Sequence, residues 1–198
     1  TDSSLLNTNV KFFAKFVYRF MNFKNLKDVI ILGNSLGGHV GLIFSKLYPK
    51  LIKGLVLTGS SGLYENSMGD SYPKREDYNY IKERTEAVFF DPKIATKKIV
   101  DEVYETVNDR KKLIKILAMA KSAIRHNMSN DLPNILAETA IIWGENDSVT
   151  PPEVADEFKK LLPNSQLFWI EDCGHAPMME HPEKFNSVMN SWLKEKKL

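Results

Sequence analysis

Apolar residues recur along the chain in two alternating patterns. Short uninterrupted apolar runs predict strands that are buried on both faces of a sheet. These runs cover residues 28–32, 51–58, 139–143 and 166–170. Longer stretches with three- and four-residue apolar spacing predict amphipathic helices. They cover residues 4–22, 36–48, 153–162 and 181–193. Strand and helix alternate with short links, so we expect an α/β fold with a parallel sheet and right-handed crossovers.

A loop pattern follows the second predicted strand. Residues 59–64 are polar and contain two glycines, and residues 68–80 are rich in tyrosine and charge and contain Pro73. Proline and glycine interrupt regular structure, and charged side chains favour solvent. We therefore expect residues 68–80 to form a mobile loop or the edge of a lid.

Helical patterns follow this loop, and no strand pattern interrupts them. They cover residues 81–90, 94–107 and 110–124. We therefore predict a helical cap over residues 63–134, inserted into an α/β core that comprises residues 1–62 and 135–198.

One serine stands between the first predicted strand and the helix that follows it. Ser35 lies in the sequence GNSLGG at residues 33–38. A serine on such a turn takes a strained conformation that exposes its hydroxyl, and Gly33 and Gly37 are expected to leave room for the bend. The first helical amides, beginning with that of Leu36, can donate to an oxyanion. A phosphate-binding glycine turn or a plain tight turn stays open on this stretch alone.

Composition narrows the classes of function. With 27 basic and 25 acidic residues the formal charge is +2, which gives no reason to expect nucleic acid or an anionic membrane as a partner. Cys173 is the single cysteine, so we expect no disulfide within the chain, no thiol pair for a metal and a reducing compartment. We also expect neither metal nor other cofactor. No apolar run is long enough to span a bilayer and no signal-peptide pattern opens the chain, so we expect a cytoplasmic protein.

Two further loops carry reactive side chains and follow predicted strands. The loop after residues 139–143 offers Asp147, and the loop after residues 166–170 offers His175. Because the carboxyl ends of parallel strands meet at one edge of a sheet, we expect both side chains to lie near Ser35. A histidine can accept the serine proton, and a buried acid fixes the histidine tautomer and stabilises the imidazolium. The three residues therefore predict nucleophilic catalysis.

Other residues compete for these roles. Asp172 also lies near His175 in sequence, but it would have to fold back along its own loop, so Asp147 is favoured as the acid. The remaining histidines favour structural or exposed positions: His39 one helical turn after the serine, His126 at the end of the cap, and His181 at the start of the last helix. Histidines and acids do not show metal-ligand spacing.

The ordered set resembles the α/β-hydrolase superfamily over nearly the whole chain. The most specific matches are GNSLGG at residues 33–38, WGEND at 143–147 with a Pro-Pro pair at 151–152, and CGH at 173–175 with EHP at 180–182. The resemblance implies a mostly parallel sheet with helices on both faces and an inserted cap. It also implies that Ser35 is the nucleophile, Asp147 the acid and His175 the base, with the Leu36 amide as one oxyanion donor.

Within the superfamily, the Gly-Asn-Ser turn and the cap resemble the meta-cleavage-product hydrolases, which split carbon–carbon bonds in dienoic acids. Those enzymes usually carry tryptophan after the catalytic histidine, where this chain has Ala176, and a cap arginine for the substrate carboxylate, which residues 85–109 lack. We therefore expect hydrolysis of an ester or related carbonyl compound, a small-molecule substrate, through an acyl-enzyme. A carbon–carbon hydrolase and a non-catalytic binding protein of the same fold are the alternatives.

The resemblance also implies strands and a His-Gly oxyanion loop ahead of the first predicted helix, which this chain lacks. Residues 30–32 would then form a strand with an uncovered hydrophobic edge. The oxyanion hole would have one donor, and loss of a donor typically lowers turnover about a hundredfold or more. We expect a second copy of the chain, or a missing N-terminal segment, to complete the sheet.

Overall fold

A computed structural model describes residues 9–65 and 74–198. In this part of the chain, four parallel strands form a sheet whose spatial order follows the sequence. They are β1 (Val29–Asn34), β2 (Ile52–Thr58), β3 (Glu138–Gly144) and β4 (Ser165–Ile170). The parallel α/β sheet predicted from the apolar runs is confirmed.

Eight α-helices accompany these strands within the described ranges. They are α1 (Val10–Phe23), α2 (Leu36–Leu47), α3 (Tyr78–Glu86), α4 (Lys97–Asn108), α5 (Arg110–Arg125), α6 (Pro152–Leu161), α7 (Pro177–Glu180) and α8 (Pro182–Lys196). Short 3₁₀ turns lie at Pro92–Ile94 and Leu132–Asn134. None of these helices has both the length and the apolar character needed to cross a membrane.

The two faces of the sheet carry separate hydrophobic clusters. Leu55 and Leu57 of β2 pack in a cluster with helices α1, α2 and α6, whereas Val56 between them packs in a cluster with α8. Successive side chains of a strand point to opposite faces, so β2 is buried on both faces. This burial explains why the strand sequence is apolar without alternation.

β1 lies at one edge of the described sheet and is less well covered than β2. Ile30 and Leu32, two positions apart on one face, are 37% and 46% exposed. Ile31, on the other face, lies against α2, since a Cβ placed on Gly41 would be 3.2 Å from its Cγ2. Within the described residues, β1 is therefore an edge strand, and it also exposes apolar side chains on one face.

Helices α3, α4 and α5 come between β2 and β3 in sequence. Ile81, Val107 and Leu113 form a small hydrophobic cluster of their own, and Ala123 of α5 joins the larger cluster of the sheet. This arrangement agrees with a helical layer that has its own core and packs through α5 against α1 and α2. The limits at residues 63 and 134 stay a prediction.

The bounds of α3 differ from the predicted helix over residues 81–90. Asp77 accepts hydrogen bonds from the N–H groups of Asn79 (2.9 Å) and Tyr80 (3.2 Å), so the helix begins at Tyr78. An aspartate at this position satisfies first-turn amides that have no partner within the helix. The expected mobile loop at residues 68–80 lies outside the described residues as far as position 73, and α3 takes up its end.

Candidate active site

Ser35 lies on the sharp turn between β1 and α2. Its φ of 51° and ψ of −121° are strained for a residue with a side chain. Its N–H donates to the Thr58 carbonyl at 3.0 Å, and its own carbonyl accepts from the Ser61 N–H at 3.1 Å. The end of β2 and the segment after it therefore hold the turn on both sides.

Two glycines give this turn its space. A Cβ on Gly33 would collide with the backbone of Gly37, and a Cβ on Gly38 would collide with the Ser60 hydroxyl. Among the described residues, a Cβ on Gly37 would meet nothing within 4 Å. In this part of the structure, the room that was expected from Gly33 and Gly37 comes from Gly33 and Gly38, because the first turn of α2 brings position 38 against the segment after β2.

His175 and Asp147 form a buried pair at the carboxyl ends of β4 and β3. Their exposed fractions are 7% and 3%, and His175 Nδ1 lies 2.9 Å from Asp147 Oδ2 and 3.1 Å from Oδ1. A carboxylate accepts only, so the proton of the neutral imidazole is assigned to Nδ1. His175 Nε2 is then the unprotonated nitrogen that can serve as a base.

The Asp147 carboxylate is fixed by its own loop. Oδ1 accepts from the N–H groups of Val149 (2.8 Å) and Thr150 (2.9 Å), and Oδ2 accepts from the Thr150 hydroxyl at 2.8 Å. Hydrogen bonds to an ionised acceptor are short and strong. Sequence reasoning missed Thr150, because the local pattern in which an aspartate accepts from backbone N–H groups a few residues later does not depend on the side chain at position 150.

Asn34 connects the serine turn with the histidine loop. Its Nδ2 donates to the backbone carbonyls of Thr58 and His175, both at 3.0 Å. Gly59 follows Thr58, and a Cβ placed on it would lie 2.7 Å from two atoms of the imidazole of His175. Asn34, next to Ser35 in sequence, and Gly59, next to the Thr58 that bonds to Ser35, therefore both lie against His175. Sequence reasoning missed this role, for which an amide at the end of a buried strand was the available signal.

Glu180 of α7 holds the histidine loop against the segment after α3. Its Oε1 accepts from the Gly174 N–H and its Oε2 from the Phe90 N–H, each at 2.7 Å. The His175 N–H also donates to the Val88 carbonyl at 2.9 Å. The loop that carries the base is therefore anchored from two elements besides its own strand.

A cavity of about 170 Å³ opens at Ser35. Its described lining consists of Ser35, Leu36, Ser61, Glu65, Ile116, Met119, Ala120 and Ala123. The last four residues recur at helical spacing on α5, so one apolar face of this helix forms a wall of the cavity. Leu36 is the first residue of α2, where amide N–H groups have no acceptor within the helix. The cavity therefore contains a hydroxyl and the helix end that sequence reasoning named as an oxyanion donor.

Asp172, the competing acid, and His181, the histidine near it, form a separate contact. Asp172 is exposed, and its backbone carbonyl accepts from His181 Nε2 at 3.0 Å. The carboxylate that faces the imidazole of His175 is that of Asp147. Within residues 9–65 and 74–198, no cluster of three or more side chains could hold a metal ion.

His39 and His126 form a second histidine site, separate from His175. His39 Nε2 lies 3.0 Å from His126 Nδ1, which joins α2 to the residue that ends α5. Burial, and then the neighbouring His126, lower the pKa of His39 to about 4. Burial, and then Lys11, lower the pKa of His126. Both rings are therefore neutral near pH 7, and the structural role expected for His39 agrees with this geometry.

Known proteins that are similar to this chain in sequence include a lipase and a hydrolase. The model of a family described as alpha/beta hydrolase fold matches residues 2–182. Lipase 1 of Psychrobacter immobilis is 27% identical over 178 residues, which cover 77% of this chain and 51% of the lipase. The 2-hydroxy-6-oxo-6-(2'-aminophenyl)hexa-2,4-dienoic acid hydrolase of Metapseudomonas resinovorans is 30% identical over 183 residues, 87% of this chain and 61% of that protein.

A solved structure is similar over the whole chain. MGS-MChE2, an alpha/beta hydrolase enzyme from the metagenome of sediments of the lagoon of Mar Chica, Morocco, is 49% identical with a TM-score of 0.79. The match covers 100% of this chain and 75% of that protein. Among the curated relatives, the chain spans about half the length of the lipases.

Proposed function

Because the chain belongs to the alpha/beta hydrolase family, we propose that it is a serine hydrolase that cleaves an ester or related carbonyl substrate through an acyl-enzyme. One observation carries the proposal: the buried Asp147–His175 pair lies against the residues that flank the strained Ser35 turn. A buried acid, an imidazole and a serine hydroxyl at a strand-to-helix turn form the set that acyl transfer requires.

In the proposed reaction, Ser35 Oγ attacks the carbonyl carbon while His175 Nε2 takes the hydroxyl proton. The Leu36 N–H, at the positive end of α2, donates to the oxyanion that forms. The imidazolium then gives its proton to the departing alcohol. Water, deprotonated by His175, attacks the acyl carbon; the imidazolium then returns this proton to Ser35 Oγ as the acid leaves, which restores the free enzyme. Asp147 keeps the proton on Nδ1 and stabilises the imidazolium throughout.

The charge of the cavity supports an ester over a dienoic acid. Among its described lining residues Glu65 is the charged one, and residues 66–73, which follow it, contain no lysine, arginine or histidine. A substrate carboxylate requires a cation or several hydrogen-bond donors to replace its water. The 30% identity to the Metapseudomonas resinovorans hydrolase nevertheless makes carbon–carbon cleavage the second candidate.

Steady-state hydrolysis tests the proposal and ranks the two reactions. We expect p-nitrophenyl butyrate to be hydrolysed by the wild-type chain, with loss of activity in Ser35→Ala. Ser187→Ala, which removes an exposed hydroxyl on α8, is the matched control and should retain full activity. A 2-hydroxy-6-oxo dienoate consumed faster than the ester would favour the second candidate. Failure of both substrates to react would favour a binding protein of the same fold.

A further inference from the structure

Among its described lining residues, the cavity at Ser35 combines an apolar wall with one carboxylate. Ile116, Met119 and the two alanines of α5 provide only hydrocarbon and thioether surface, whereas Glu65 carries a carboxyl group. Glu65 is half-buried. A glutamate is ionised at neutral pH, and the described lining holds no cation to balance it.

The sequence around Glu65 supplies no cation to the cavity either. Residues 66–73 contain one acid, Asp70, and no basic side chain. The α5 residues of the lining are all uncharged. The basic side chains of Lys121 and Arg125 instead line a different cleft, which lies on the opposite face of α5 beside Asn9 and the start of α1. The helix therefore separates the basic groups from the space at Ser35.

We propose that Glu65 selects substrates by charge, so that this site accepts esters with a short apolar acyl group and an uncharged or cationic alcohol and discriminates against esters that carry a carboxylate. The inference rests on the proposed hydrolase function and names its substrate class. A cavity of about 170 Å³ is smaller than the roughly 300–1,000 Å³ of sites for drug-sized ligands, which favours a small acyl group such as butyryl.

The expected effect follows from Coulomb's law. At a separation of roughly 6 Å, a unit charge and Glu65 interact enough to change a rate constant by about 3-fold in water and by about 100-fold at the effective dielectric constant of about 20 that is typical near a protein surface. The interaction is attractive for an ammonium group and repulsive for a carboxylate. A neutral ester of the same shape feels neither.

Three butyryl thioesters whose thiols share a two-carbon spacer and end in a cationic, a neutral or an anionic group test the proposal with one assay, the release of free thiol. They are butyrylthiocholine, its uncharged analogue 3,3-dimethylbutyl thiobutyrate, and the butyryl thioester of 3-mercaptopropionate. We expect Glu65→Gln to raise the anionic-to-neutral ratio of kcat/KM by about 3- to 100-fold and to lower the cationic-to-neutral ratio similarly. Ratios to the neutral thioester cancel any effect of the substitution that does not depend on substrate charge. Glu102→Gln, an equal charge change on the exposed side of α4, should leave all ratios unchanged.

The outcomes separate this inference from the proposed function. Neutral thioester hydrolysis that disappears in Ser35→Ala, together with ratios that Glu65→Gln leaves unchanged, would overturn charge selection alone. Equal shifts in Glu65→Gln and Glu102→Gln would overturn it too, because they would reflect net charge rather than the cavity. Absence of thiol release from all three compounds with the wild-type chain would overturn both proposals.

Discussion

Acidification should destabilise the protein through His39. This side chain is fully buried on α2, and its pKa is lowered from 6.5 to about 4, mainly because burial disfavours the imidazolium and further because His126 lies beside it. His39 therefore takes up a proton near pH 6.5 in the unfolded chain and near pH 4 in the folded chain. Since the unfolded state holds more protons between these values, stability is fully present above pH 6.5 and is lost as the pH falls towards 4.

The magnitude follows from the two pKa values. The gap between 6.5 and about 4, at about 1.4 kcal/mol for each unit, corresponds to about 3 kcal/mol of unfolding free energy. His39 Nδ1 is also a buried atom without a hydrogen-bond partner among the described residues. A proton placed there would add an unpaired buried N–H, which agrees with the direction of the shift.

Urea unfolding followed by the fluorescence of the buried Trp143 and Trp192 measures this loss between pH 8 and pH 4. His39→Phe keeps an aromatic ring but cannot titrate, and the carboxylates that also respond to acid are common to both proteins. The wild-type chain should lose about 3 kcal/mol more than His39→Phe over this range. His39→Leu serves as a second variant with a smaller side chain. Equal pH dependence in the wild type and both variants would refute the reasoning.

Three further predictions concern the groups that support the site. Asp147→Asn should lower kcat on p-nitrophenyl butyrate about 10³- to 10⁴-fold with little change in KM, because the base loses its orienting carboxylate; an equal loss in KM would contradict this role. Thr150→Val should lower kcat about tenfold while Thr150→Ser retains most of it, since only the hydroxyl contacts Asp147 Oδ2; loss of activity in both variants would indicate packing instead. Gly38→Ala should cost about 1–3 kcal/mol of unfolding free energy by colliding with the Ser60 hydroxyl, whereas Gly37→Ala should change it little; urea unfolding that gives the reverse order would contradict the turn geometry.

The strands and the serine turn could be predicted from the sequence because local residue patterns determine them. A strand buried on both faces must be apolar throughout, as at Leu55 to Leu57, and a strained turn next to a helix requires glycine nearby. The alpha/beta hydrolase fold could also be predicted, because the local strand and helix patterns were read together with the order of three reactive residues along the chain. The site residues themselves stay a prediction, which the geometry of Asp147 and His175 supports.

Two of the missed features depend on contacts between distant parts of the chain. An amide at the end of a buried strand is a local signal, but it does not show that Asn34 bonds to β2 and to a loop 141 residues away. The pairing of His39 with His126 likewise joins α2 to the end of α5. Helix α7 was missed for a different reason, because its four residues, Pro177–Glu180, are too few for a periodic pattern.

Covalent labelling of Ser35 tests the proposed function most directly. A serine-directed phosphonate reacts only with a hydroxyl that a neighbouring base activates. Peptide mass spectrometry of the treated protein should show one adduct, on the peptide that carries Ser35, and the adduct should be absent in Ser35→Ala and form much more slowly in Asp147→Asn. An unmodified Ser35 peptide, or an adduct confined to another serine, would contradict the assignment of Ser35 as the nucleophile.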